Sequence, residues 1–168
     1  AAAWKPKSPA GKRPAVIVIM TDQQTAGAIS CAGNPWVRTP AMDALAADGV
    51  RFTRAYCPYP LSGPCRAALV TGRMPFEVGA FDNAIRPADA DMQAGIGHRL
   101  AEAGYECLYA GKWHVPEVNL PDSGTGFRRI SKMNDPALAD ACDAALKEYD
   151  GQKPLFLVAS LLNPHEIC

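Results

Sequence analysis

Pro14-Ala-Val-Ile-Val-Ile-Met-Thr21 is an unbroken apolar, β-branched run, and it ends abruptly in Asp22-Gln23-Gln24. β-Branched side chains are stiff at χ1 and pack well on a pleated surface, so the run reads as a strand. It shows no alternation between polar and apolar residues. That is the pattern of a central strand buried on both faces, the kind a parallel sheet requires. A second run of this type, Pro154-Leu-Phe-Leu-Val-Ala-Ser-Leu-Leu162, ends in Asn163-Pro164-His165-Glu166. A shorter one, Glu106 to Ala110, ends in Gly111-Lys112-Trp113-His114.

Helical patterns lie between these strands. Thr39 and Pro40 open a short helix through Met42, Leu45 and Ala46 that stops at Gly49, with Thr39 as the N-cap. Ser62 and Pro64 open another that closes at Gly72, and Ile96 to Ala103 forms a third with Gly104 as its C-cap. Pro136 to Tyr149 carries Leu138, Cys142, Ala145, Leu146 and Tyr149 at helical spacing, with Asp135 as a plausible cap. Val50 to Tyr56 alternates and reads as a further extended segment. Strands alternating with helices predict an α/β fold with a largely parallel central sheet flanked by helices.

At 168 residues the chain is the length of one domain with a real core. Seventeen basic residues balance seventeen acidic ones, so bulk positive charge does not point to nucleic acid or a membrane surface. The run Ala15 to Met20 is too short to span a bilayer, and no signal-peptide hydrophobic region is visible. Residues 1–13, basic and proline-containing, read as a mobile tail ahead of the folded unit at 14–168.

Six cysteines, at 31, 57, 65, 107, 142 and 168, form no CxxC pair, which excludes a zinc ribbon or a thioredoxin-type motif. An even count permits disulfides, but a chain of this size does not need them, and the cysteines read as buried free thiols. The Gly111-Lys112 pair is not a phosphate-binding loop. Six residues separate Gly104 from Gly111, and Trp113 stands where that loop needs Ser or Thr. His98 reads as a solvated or satisfied helix histidine. Cys65 beside Arg66 suggests a thiol of lowered pKa, a weak reading taken alone.

Ligands of open α/β sheets bind beyond the carboxyl ends of the strands. There the three runs deliver one carboxylate, one amide, one ammonium and two imidazoles. That mixture suits an anion held against a hard cation.

One segment goes further. Leu61-Ser-Gly-Pro-Cys-Arg-Ala-Ala-Leu-Val-Thr-Gly-Arg73 closely resembles the signature of the formylglycine-dependent (type I) sulfatases of the alkaline-phosphatase superfamily. That signature runs Cys/Ser-x-Pro-x-Arg and then x-x-x-Leu-Thr-Gly-Arg, and here Val70 replaces the usual Leu or Met. Many members open with Cys and carry Ser at the fourth position; Ser62 and Cys65 exchange those roles. The resemblance extends in order through Asp22-Gln23, Thr39-Pro40, Gly49-Val50-Arg51-Phe52, Gly104-Tyr105, Gly111-Lys112-Trp113-His114 and Asn163-Pro164-His165.

The resemblance implies a sulfuric-ester hydrolase. Ser62 would be oxidised to formylglycine by a serine-accepting maturating enzyme, and a divalent cation, most often Ca2+, would be held by Asp22, Gln23 and Ser62. It gives catalytic roles to Ser62, Arg66, Lys112, His114 and His165. Lys112, His165 and Asn83 would contact the sulfate, although an Asn in Phe81-Asp82-Asn83 equally suits a turn. The substrate would be a sulfated small molecule or glycan, and the location periplasmic or secreted.

Two departures qualify these expectations. Gln23 stands where the family usually has a second acid, as in related phosphonate monoesterases. Phosphonate or phosphate monoester hydrolysis on the same scaffold is therefore an alternative, as is a non-catalytic anion-binding homologue with Ser62 unmodified. The family's later Asp-His or Asp-Asn metal pair and further lysine have no counterpart here. The chain is therefore expected to be the N-terminal part of a sulfatase catalytic domain, inactive without its remainder, which would also cover the last apolar run.

Overall fold

The first apolar run forms strand β1 (Val16–Asp22), and three further strands complete one sheet: β2 (Glu106–Gly111), β3 (Arg128–Ser131) and β4 (Leu155–Pro164). This computed structural model describes residues 13–85, 87–115, 124–132 and 134–167. The expected tail falls outside these residues except for Arg13, whose guanidinium donates to the Ala103 carbonyl.

The sheet is parallel throughout, in the order β1-β4-β2-β3. Five helices accompany it among the described residues: α1 (Pro40–Asp48), α2 (Ser62–Thr71), α3 (Asp89–Gln93), α4 (Ile96–Glu102) and α5 (Asp135–Glu148). The predicted α/β class is the one observed. Helix α2 ends at Gly72 in the left-handed conformation (φ 70°), with its N–H bonded to the Ala68 carbonyl.

The core lies on both faces of β2 and β4. Cys107, Tyr109, Phe156 and Val158 pack on one face with Val70, Met92, Trp113 and Phe127. Leu108, Leu155 and Leu157 pack on the other with Tyr149, and Ala110 and Ala159 with Leu138 of α5. Burying a leucine such as Leu155 or Leu157 stabilises the fold by about 1.5–3 kcal/mol.

Several sequence expectations need correction. The run that reads as a central strand, β1, is the edge of the described sheet, and Val16 to Ile19 are 36–63% exposed. The central strand is β4. It has β1 and β2 as neighbours and helices over it, so it needs no further chain to bury it. Apolarity records what a strand tolerates on its faces, not its place in the sheet order. Val50 to Tyr56 forms no strand, and Val50, Phe52 and Tyr56 are exposed. Strand β3, Arg128-Arg-Ile-Ser131, escaped notice because it is short and polar.

The cap of α5 is Asn134, which accepts from the Ala137 N–H at 3.3 Å. Asp135 instead accepts from the N–H groups of Leu162 (2.7 Å) and Asn163 (2.8 Å) and from Asn163 Nδ2 (3.0 Å), tying α5 to the end of β4. Thr39 does occupy the N-cap position of α1, but its hydroxyl bonds Ser30 and Asp43 rather than the helix backbone. His98 lies half-buried in α4, and its buried Nε2 has no hydrogen-bond partner among the described residues, which departs from the satisfied or solvated histidine expected.

Candidate active site

Strands β1, β4 and β2 are parallel neighbours, so their carboxyl ends open on one rim. Asp22 pairs with Pro164 across β1 and β4, and Gly111 with Ser160 across β2 and β4. Gly111 takes φ 87°, and a Cβ there would sit 2.0 Å from the Ser160 carbonyl oxygen. Only glycine permits that approach. The chain then turns so that the Lys112 N–H donates to the same carbonyl at 2.8 Å. The Lys112 side chain reaches back under the rim, with Nζ 2.7 Å from Asp22 Oδ2.

Helix α2 points its N-terminus at this rim. Ser62 is its first residue, and Ser62 Oγ donates to Asp22 Oδ2 at 3.0 Å. Arg66, one turn later, donates from Nε to Ser62 Oγ at 3.1 Å and from Nη2 to Asp22 Oδ2 at 2.9 Å. Its Nη1 reaches Ser160 Oγ at 2.8 Å and the Lys112 carbonyl at 2.7 Å. All three guanidinium nitrogens are thereby engaged. Gly63 leaves room for Asn83, whose Oδ1 accepts from the Gly63 N–H at 2.9 Å and would stand 3.0 Å from any Cβ at that position. Asn83 therefore covers a free backbone donor of α2 from within a turn, and Asp82 makes the turn's own bond, to the Ala84 N–H.

Asp22, Arg66 and Lys112 are 7, 5 and 3% exposed. Burial alone would raise the Asp22 pKa. Hydrogen bonds from Lys112 and Arg66, together with their charges, outweigh it and hold the carboxyl below the ordinary aspartate value. The carboxylate is thus a firm anion that orients Ser62 and is a poor base. Burial, with the charges of Lys112 and Arg66, lowers the His114 pKa, and His165 adds to the effect. His114 is therefore neutral at neutral pH and able to take a proton. His165 is exposed where a 3-10 turn (His165–Ile167) follows β4.

Gln23 (φ 59°) and His114 (φ 47°) are the non-glycine residues with positive φ among the described residues. Both stand at strand ends on this rim. Left-handed backbone at non-glycine residues costs about 1–3 kcal/mol each and concentrates at working sites.

The donor chemistry suits one side of a hard-cation site. The bonds that described residues make to the Asp22 carboxylate all go to Oδ2, and none of these residues engages Oδ1. The Ser62 hydroxyl contacts the same carboxylate, and the next residue in the chain, Gln23, is exposed and carries an amide oxygen. Among the described residues no group of three or more His, Cys, Asp and Glu side chains gathers to hold a metal by itself.

The sequence model of the Sulfatase family matches residues 14–168. The chain belongs to the sulfatase family. It is 41% identical over 110 residues to an N-acetylglucosamine-6-O-sulfatase of Bacteroides thetaiotaomicron, covering 66% of this chain and 19% of that protein. It is 37% identical over 124 residues to arylsulfatase A of Homo sapiens, covering 70% and 24%. A solved structure of a protein in complex with its substrate D-glucosamine-2-N,6-O-disulfate superposes with a TM-score of 0.79 at 28% identity, covering 92% of this chain and 35% of that one. A phosphonate monoester hydrolase of Agrobacterium radiobacter shares the fold, with a TM-score of 0.73 at 21% identity and coverage of 91% and 41%. The chain spans less than half the length of each of these relatives.

Of the residues singled out in the sequence, the sulfatase rim joins Asp22, Ser62, Arg66 and Lys112 directly. Asn83 abuts α2, His114 and His165 lie at the mouth, and Gln23 is exposed beside Asp22. Two supporting residues were missed. Ser160 accepts from Arg66, and the Tyr109 hydroxyl donates to the Lys112 carbonyl at 2.7 Å. Ser160 did carry a signal, as the one polar side chain within Leu155–Leu162. The lowered pKa expected for Cys65 is overturned: burial and the neighbouring Cys57 push its thiol up to about 12 despite Arg66.

Proposed function

We propose that the protein hydrolyses sulfate monoesters at position 62. The observation that carries this reading is the convergence of Asp22 and Arg66 on Ser62 Oγ at the N-terminus of α2, with Lys112 behind them. The positive end of a helix, a guanidinium and an ammonium around one hydroxyl make a site for a tetrahedral anion. Membership of the sulfatase family supports the choice of sulfate.

A plain serine is a weak nucleophile, and Asp22 is too firmly ionised to activate it. On our reading Ser62 is oxidised to formylglycine by a serine-accepting maturating enzyme. The hydrated aldehyde supplies two hydroxyls on one carbon, one to take the sulfuryl group and one whose loss of a proton re-forms the aldehyde and frees sulfate. Arg66 orients these oxygens through Nε and screens the charge that builds on them. Lys112 Nζ neutralises sulfate oxygens on the Asp22 side. His114, held neutral, accepts the proton of the second hydroxyl. His165, exposed at the mouth, protonates the departing alcohol oxygen, and Asn83 lies near enough to α2 to contact sulfate. A divalent cation, calcium by family likeness, would be held by Asp22, Gln23 and position 62, where it would lower the hydroxyl pKa and neutralise the anion.

The substrate class we favour is a sulfated sugar or small molecule, met outside the cytoplasm as for an exported enzyme. Among the described residues no helix is long and apolar enough to cross a membrane. Matched aryl sulfate and aryl phosphonate esters, given to the matured full-length protein, test the reaction class. Faster turnover of the sulfate supports the proposal. Preference for the phosphonate, the chemistry Gln23 would suit, overturns it.

A further inference from the structure

Cys57 and Cys65 bracket Ser62, and their Sγ atoms lie 3.1 Å apart. That is about 1 Å longer than a disulfide bond. Cys57 is exposed in the loop entering α2, where its thiol donates to the Tyr59 carbonyl at 2.7 Å. Cys65 is half-buried in the first turn of α2. The approach spans only the residues Pro58 to Pro64, and closing it brings the two sulfurs about 1 Å nearer.

We propose that Cys57 and Cys65 are a redox-active dithiol that closes reversibly into a disulfide across the loop presenting Ser62, with small-molecule disulfides such as oxidised glutathione as the oxidant. The exposed Cys57 is the sulfur a bulky reagent can reach, so it reacts first. Its thiolate attacks one sulfur of the oxidant, forms a mixed disulfide and releases one thiolate. Cys65, after losing its proton to solvent, attacks Cys57 Sγ and expels the second thiolate. Two protein thiols and one external disulfide become one protein disulfide and two external thiols, so atoms and electrons balance. Capture of Cys57 in the uncharged mixed disulfide also removes one of the neighbours that push the Cys65 thiol up. The closed form ties the loop Pro58–Leu61 to the first turn of α2 and fixes how position 62 meets the rim. This pairing does not depend on what reaction occurs at Ser62.

Tryptic cleavage after Arg54 and Arg66 releases a peptide, residues 55–66, that contains both thiols and Ser62. The test equilibrates the folded full-length protein with excess oxidised glutathione and blocks free thiols with N-ethylmaleimide. The protein is then unfolded, reduced and labelled with iodoacetamide. The expected peptide carries two iodoacetamide labels and no N-ethylmaleimide, and before reduction it is two hydrogens lighter. Formylglycine at Ser62 also removes two hydrogens, but only the disulfide regains them on reduction. The Cys65→Ser variant is expected to retain glutathione on Cys57, whereas Cys57→Ser leaves Cys65 free under the same treatment. Two N-ethylmaleimide labels in the wild-type protein overturn the proposal. So does glutathione persisting on wild-type Cys57 to the extent seen in Cys65→Ser, because it shows that Cys65 does not resolve the mixed disulfide.

Discussion

Arg66 Nε stands 3.1 Å from Ser62 Oγ, one turn along the same helix, while Arg66 Nη2 holds Asp22 Oδ2 at 2.9 Å. The i, i+4 spacing makes the first contact local. The second joins α2 to the end of β1, so one side chain sets both the position of the Ser62 hydroxyl and the seating of the helix on the sheet.

Arg66→Met should therefore cost stability as well as activity. It strips a buried carboxylate of one cation and leaves Ser160 Oγ and the Lys112 carbonyl short of a donor. Removing one partner of a buried ion pair costs about 3–5 kcal/mol. Arg66→Lys restores the charge, but an ammonium cannot reach four acceptors at once, so it should recover less than half of that loss. Urea denaturation of both variants measures this; a cost below about 1 kcal/mol for Arg66→Met would contradict the network.

From sequence, Asp22 at a strand end reads as a residue whose loss affects metal binding and spares the fold. The structure revises that. Asp22→Asn leaves Arg66 and Lys112 buried with no anion between them, so the denaturation midpoint should fall together with calcium affinity. A titration of the full-length variant should show affinity weakened by on the order of tenfold or more. An unchanged affinity would remove Asp22 from the cation site.

Gly111 and Gly72 both have positive φ, yet substitution should separate them. At Gly111 a Cβ meets the Ser160 carbonyl at 2.0 Å, whereas at Gly72 nothing lies within 4 Å. Gly72→Ala should cost about 1–2 kcal/mol of backbone strain. Gly111→Ala adds a backbone collision at the rim and should cost roughly 3 kcal/mol or more. Equal midpoints for the two variants would refute the close approach.

The thiols should label in a set order. Burial pushes Cys107 up to about 11 and Cys65 up to about 12, with Cys57 adding to the latter. At pH 8 a thiol of pKa near 12 is about 0.01% thiolate, and its alkylation speeds up about tenfold per pH unit below its pKa. Exposed Cys57 should react with iodoacetamide well before Cys65 in the reduced protein, and raising the pH should accelerate Cys65. Equal rates at pH 8 would contradict this environment.

Much of the fold was legible because its signals are local. The apolar runs marked three of the four described strands, and Ser62, Pro64 and Gly72 bounded α2 closely. Sheet order was not legible, since Val16–Ile19 and Leu155–Val158 look alike in sequence while one lies at an edge and the other at the centre. The alternation at Val50–Tyr56 has no partner strand among the described residues, and nothing local could reveal that. At the site, the strand ends and the signature segment identified Asp22, Ser62, Arg66 and Lys112. Ser160 and Tyr109 stayed hidden because their partners are fixed only when β4 and β2 pair. The exchange of Ser and Cys within the signature was visible, but the contact between Cys65 and Cys57 was not.

The proposed chemistry requires an aldehyde at position 62 in the working enzyme. The direct measurement is peptide mass spectrometry of residues 55–66 from protein purified from its own host in a preparation that turns over an aryl sulfate. The peptide is reduced and alkylated, then treated with a carbonyl-reactive hydrazine. The expected peptide is two hydrogens lighter than its serine form after full reduction, with the hydrazone localised to position 62. An intact serine at position 62 in an equally active preparation would contradict it.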